Sequence, residues 1–155
     1  LVNILQIRNC ADIARIRRLL TDLSPCLDFV GLLQGLQIND IDIPNEYVRP
    51  NGCLHIAETG SHVVGCSLLS KIDDDVCELK RLFVLPGFRR QGIGSMLINI
   101  SLAEAESLGY HIMRLETLAS MKDAISVYHR FGFCIVPQEL RRGTKKTMQM
   151  VRVLG

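Results

Sequence analysis

Glu78-Leu79-Lys80-Arg81-Leu82-Phe83-Val84 leads, a short turn later, into Arg89-Arg90-Gln91-Gly92-Ile93-Gly94. The first segment reads as part of a strand over 76–85, closed by Pro86-Gly87. The second is a basic, glycine-bearing turn directly before a helical pattern. Strand, basic turn and helix start together suit a phosphate site. Glycine has no Cβ, so at Gly92 the backbone can take a positive φ and come close to a ligand. Unpaired N–H groups at a helix start point at an anion, and the helix dipole favours it. Arg89 and Arg90 add charge and donors. A surface turn with a few basic residues is the plain alternative for so short a motif.

Outward from this stretch, the elements follow in order. Residues 2–8 alternate as a first strand. Asn9 and Asp12 look like the start of a helix carrying Ile13, Ile16, Leu20 and Leu23, which Ser24-Pro25 stops. Residues 24–50 are irregular. Strands over 53–58 and 62–70 are joined by Thr59-Gly60-Ser61, a hairpin signal. From Ile93 the spacing predicts a helix with an apolar stripe of Ile93, Met96, Leu97, Ile100 and Ala103, ended by Gly109. A strand over 110–117 and a helix over 122–131 follow, the helix stopped by Gly132. Segments 133–136 and 146–153 form a last strand pair around the basic loop 141–146. Hairpins first and strand–helix–strand later give an α+β, or mixed α/β, sheet. A right-handed crossover lays the helix after Gly92 over that sheet.

Together these segments resemble the GNAT superfamily of N-acetyltransferases. The family's acetyl-CoA motif, (Gln/Arg)-x-x-Gly-x-(Gly/Ala) after the fourth strand, is filled by Arg89, Gly92 and Gly94. Leu82-Phe83-Val84, Pro86, Phe88, Met113-Arg114-Leu115-Glu116-Thr117 and Ala124-Ile125-x-x-Tyr128-x-x-x-Gly132-Phe133 continue it in family order. The resemblance implies a central, mostly antiparallel sheet flanked by helices. Its fourth and fifth strands splay, and the pantetheine arm enters the notch between them.

N-acetyl transfer needs a neutral amine, a thioester carbonyl close to it and a proton donor for the departing thiolate. Alkyl amines are mostly protonated at neutral pH, since the lysine reference pKa is roughly 10.4. A base, usually through water, removes that proton. The resemblance offers two candidates, Glu116 and Glu78; for each, the plain alternative is a strand carboxylate that is solvated or paired with Lys80, Arg81 or Arg114. It also implies that Leu82, Phe83 and Val84 hold the pantetheine, with an N–H near Val84 stabilising the oxyanion. The turn Arg89, Arg90, Gln91, Gly92, Ile93, Gly94 and Ser95 would carry the pyrophosphate, and Tyr128 would protonate the thiolate. Met121 departs from the family's frequent Asn; it lacks the amide's hydrogen bonds, so contact there passes to Ser120 or to backbone. His55, His62, His111 and His129 read as structural residues.

Composition bounds the rest. One domain over 1–155 is expected from the length. Apolar residues are 48% of the chain, enough for a sizeable core. A net charge of +2 is too small to argue for general nucleic-acid binding. The six cysteines form no C-x-x-C pair and no zinc spacing, so no metal is expected and a reducing, cytoplasmic home fits. No signal peptide or membrane span is expected, and a start without Met fits a trimmed or internal beginning. The expected partners are acetyl-CoA and an amine acceptor, a small or amino-acid-like molecule; dimers are common in the family. The rival expectations are a protein N-terminal or lysine acetyltransferase and a non-catalytic acyl-CoA sensor.

Overall fold

Seven strands form one sheet in the computed structural model, which describes residues 1–7, 50–60, 62–137 and 147–155. The expected helix after Asn9, the irregular 24–50 segment up to residue 49, Ser61 and the basic loop 141–146 lie outside the described residues. The strands are β1 (Val2–Ile7), β2 (Cys53–Thr59), β3 (His62–Lys71), β4 (Val76–Val84), β5 (Ile112–Leu118), β6 (Cys134–Ile135) and β7 (Thr147–Val153). Two helices are described, α1 (Ile93–Ser107) and α2 (Lys122–Arg130). The sheet order is β1-β2-β3-β4-β5-β7-β6, with β4–β5 its one parallel pair.

Local chemistry explains the hairpins. In the acidic turn between β3 and β4, the Asp73 carboxylate accepts from the N–H groups of Asp75 and Val76, both at 2.8 Å. That Asx-type turn reverses the chain without glycine. The parallel pair needs a longer connection, and α1 supplies it, lying across β2, β3 and β4.

The stripe α1 buries differs from the one its sequence predicts. Ile93 and Leu97 are buried as expected, but the stripe continues through Ile98, Ser101, Leu102 and Ala105. Met96 and Ala103 are exposed and Ile100 is half-buried. The helix is apolar on much of its circumference, so periodicity leaves its rotation underdetermined. The buried Ser101 hydroxyl lies 3.2 Å from that of Ser67 on β3, which satisfies both groups.

The core divides at Leu82, which touches both parts. Beneath α1 and α2, Cys77, Leu79, Met113 and Leu115 meet Ile98, Leu102, Tyr128 and Phe133. Toward the start of α1, Ala57 and Val64 meet Ile93 and Leu97. Cys53, Cys66 and Cys77 are free thiols within the sheet; burial pushes the Cys77 thiol up to about 12, so it stays a neutral, small apolar group.

His55 on β2 is 1% exposed, with its Nδ1 3.6 Å from the Cys53 Sγ. Burial lowers its pKa from the usual 6.5, and the Glu104 charge opposes this more weakly. The folded protein therefore holds His55 neutral where the unfolded chain begins to take a proton. Stability owed to this neutral ring is full above about pH 6.5 and falls as the pH drops toward the lowered folded value. Denaturant melts between about pH 7.5 and 5.5 should show wild type losing more stability than His55→Gln. Equal losses would mean that His55 does not drive the acid sensitivity.

Candidate active site

The notch between β4 and β5 follows from a register fault. Cys66 pairs with Phe83 but Leu68 pairs with Lys80, so Arg81 and Leu82 together stand opposite Ser67. A bulge of this kind bends its strand and increases its twist. The parallel pairing of β4 with β5 runs from Val76↔Ile112 to Leu79↔Leu115 and stops there. Beyond it, β4 stays with β3 through Phe83 and Val84, while β5 stays with β7 through Glu116, Thr117 and Leu118. From Lys80 to Val84, β4 thus has no register partner on β5 among the described residues.

A cleft of about 900 Å³ occupies this opening on the helix face. Its walls are Leu82, Phe83 and Val84 of β4, Phe88 to Arg90, the first turn of α1 with Ile98, Ser120 to Ala124, and Val127, Tyr128 and Arg130 of α2. Among the sequence-predicted residues, Leu82, Phe83, Val84, Arg89, Arg90, Gly92, Ile93, Gly94, Ser95, Ser120 and Tyr128 line it together. Gln91 is exposed on the turn and outside the lining.

The turn is built around two left-handed residues. Gly92, the N-cap of α1, has φ 82°. Arg90 has φ 63°, a conformation that costs a residue with a Cβ about 1–2 kcal/mol. No side chain caps α1 and no acid stands in its first turn, so its leading N–H groups remain for a ligand. Arg89 is used differently from expectation. Its Nε donates to the Val84 carbonyl at 2.9 Å, and its guanidinium lies 5.8 Å from the Phe83 ring centroid. It ties the turn to the end of β4 while its remaining donors stay at the cleft.

Tyr128 is the one buried residue of α2. The spacing Tyr128-x-x-x-Gly132-Phe133 has a physical cause. Gly132, at φ 88°, ends the helix in a Schellman motif: its N–H donates to the His129 carbonyl and the Phe133 N–H to the Tyr128 carbonyl, each at 3.0 Å. That turn swings Phe133 back against Tyr128, edge to face, with ring centroids 6.0 Å apart. Tyr128 lines the cleft, and its hydroxyl has no hydrogen-bond partner among the described residues. Burial raises its pKa above the usual 10, which keeps the phenol protonated.

The two carboxylates stand elsewhere. Met113 and Leu115 face the helices, so alternation puts Arg114 and Glu116 on the opposite sheet face. Glu116 is exposed at the splayed end of β5. Glu78 accepts from Arg114 through a single oxygen, Oε2, at 3.3 Å from Nε and 3.2 Å from Nη2. His111 pairs with Asp75 at 2.9 Å in an exposed turn, and His129 is exposed.

Phe88, Ile98, Met121, Lys122, Asp123, Ala124, Val127 and Arg130 also line the cleft but were not singled out as ligands from the sequence. For Lys122 and Arg130 a signal existed: residues eight apart on a helix share a face. Arg89, Arg90, Lys122 and Arg130 face a single acid, Asp123, among the described lining residues. That balance favours a multiply charged anion.

The model of the acetyltransferase (GNAT) family matches residues 16–133. An uncharacterized N-acetyltransferase of Escherichia coli K12, YjgM, is 31% identical over 90 residues, which are 56% of this chain and 54% of that protein. The chain spans about half the length of the curated relatives it matches, or less. An acetyltransferase of Streptococcus agalactiae superposes with a TM-score of 0.70 at 20% identity, over 99% of this chain and 98% of that one. A GNAT family acetyltransferase of Elizabethkingia anophelis, solved with acetyl-CoA bound, gives 0.58 at 21% identity, over 67% and 77%. No helix among the described residues is long and apolar enough to cross a membrane.

Proposed function

The chain belongs to the acetyltransferase (GNAT) family, and from that premise we propose that it moves an acetyl group from acetyl-CoA to a primary amine. The acceptor is a small or amino-acid-like molecule, and the amine attacks directly in a ternary complex. The observation that carries this is the Tyr128 phenol, buried, protonated and unpartnered at a notch whose mouth is cationic.

The walls suit acetyl-CoA. Uncapped N–H groups at Gly92, Ile93 and Gly94, with Arg90, would take the pyrophosphate. The β4 segment beyond its last β5 pair would bond the pantetheine amides as a neighbouring strand does. Ser120, in the same cleft wall, would replace the amide that Met121 lacks. Acetyl-CoA supplies the activated acyl group as a thioester. Tyr128 would hold a proton for the sulfur, and a backbone N–H near Val84 would stabilise the acyl oxygen. Arg89 keeps that strand end in place through the Val84 carbonyl. Glu116, exposed at the splayed strand end, or Glu78, at the last parallel pairs, would receive the amine proton. The free, buried thiols of Cys53, Cys66 and Cys77 are consistent with a reducing, cytoplasmic setting.

Thiol release from acetyl-CoA, followed over small amines, free amino acids and peptides, tests the proposal. Release with a small amine or amino acid is expected. Turnover of peptides alone would favour a protein acetyltransferase. Binding without release would mark an acyl-CoA sensor.

A further inference from the structure

The Glu78–Arg114 pair lies outside the cleft lining, on the sheet face away from α1 and α2, close to where β4 and β5 part. Glu78↔Arg114 is the penultimate parallel pair, and the strands part immediately after Leu79↔Leu115. An acyl group delivered through the notch from the helix face would emerge beside it. The pair is only half satisfied. Arg114 spends Nε and Nη2 on one Glu78 oxygen, and neither residue has a further partner among the described residues. Nη1 and Oε1 therefore remain open. The hydroxyl of Ser70, which is Glu78's register neighbour on β3, is buried and unpartnered, so it does not cap Oε1 either. Glu78 is 15% exposed and Arg114 43%, so the guanidinium is the more accessible end.

We propose that this ion pair recognises an acceptor carrying an ammonium and a carboxylate on one carbon, a free α-amino acid, with the amine on Glu78 Oε1 and the carboxylate on Arg114 Nη1. One open carboxylate oxygen and one open guanidinium nitrogen within a single ion pair offer the complement of a zwitterion. Arginine bridges two carboxylates readily because its planar fork presents donors on more than one edge. A simple amine would leave the Arg114 edge unused. The proposal rests on the acetyltransferase reading and narrows its acceptor class.

The test compares each of several α-amino acids with its α-carboxamide and with its decarboxylated amine, by kcat/KM at saturating acetyl-CoA. A charge-assisted hydrogen bond to the carboxylate should favour the acid by roughly ten- to a hundredfold, chiefly through KM. Arg114→Gln should erase most of that preference and Arg114→Lys should restore part of it. Acetyl-CoA affinity by calorimetry checks that the variants are folded. If they do not fold, the wild-type comparison decides alone. Amides or decarboxylated amines used as well as the acids would overturn the ion-pair proposal while leaving acetyl transfer intact. A preference that survives in a folded Arg114→Gln protein would also overturn it. Acetyl-CoA binding with no turnover of any amine would sink the acetyltransfer proposal, and this one with it.

Discussion

Tyr128→Phe is expected to lower kcat by roughly 10²–10⁴-fold, the usual worth of a positioned general acid. The substitution removes one oxygen and keeps the ring that meets Phe133 edge to face. The helix end also stays, because the Schellman bonds of Gly132 and Phe133 go to backbone carbonyls. Affinity for acetyl-CoA should therefore change little. Because burial raises the phenol's pKa above its usual 10, wild type should show no alkaline loss from Tyr128 until above about pH 10. Rates must be taken where chemistry limits turnover, which single-turnover kinetics establishes. A Phe variant with full kcat under those conditions would make Tyr128 a packing residue.

Gly92→Val should weaken acetyl-CoA binding by at least about tenfold, with the sheet intact. At φ 82° a residue with a Cβ costs about 1–2 kcal/mol, and β-branching adds to it. A Cβ at Gly92 would meet nothing of the protein within 4 Å, so crowding in the free protein is not the cause. The added methyls project into open space at the start of α1, where a pyrophosphate would approach the N–H groups. The strain is carried by the free and the bound protein alike and so acts on folding; the affinity loss comes from the blocked approach, about 1.4 kcal/mol for each factor of ten. Calorimetry on the folded variant measures it directly; an unchanged Kd would remove the turn from the binding site.

Both expectations rest on segments whose sequence is locally decisive. A glycine-bearing turn after a strand and a tyrosine four residues before Gly132-Phe133 each specify their own backbone geometry. Short-range hydrogen bonds then place the cleft residues together. Strand alternation likewise sorted Met113 and Leu115 from Arg114 and Glu116. What sequence left open depends on distant partners. The rotation of α1 is set by the sheet beneath it, and an apolar residue such as Met96 can face either way. The bulge opposite Ser67 carries no glycine or proline on β4 to announce it, so the parting of β4 from β5 becomes visible only with the strands in register. The choice of Arg114 as the partner of Glu78 needs a parallel pairing across 36 positions. Arg89's bond to the Val84 carbonyl closes a turn whose residue types equally allow the side chain to point at solvent.

The most direct measurement is acetyl-CoA-dependent thiol release with an amino-acid and amine panel, the acetylated product being identified by mass spectrometry. The notch account predicts an N-acetylated amine formed in step with free coenzyme A by wild type, and a rate reduced roughly 10²–10⁴-fold by Tyr128→Phe. Acetyl-CoA bound by the folded protein with no acetylated amine across the panel would contradict it.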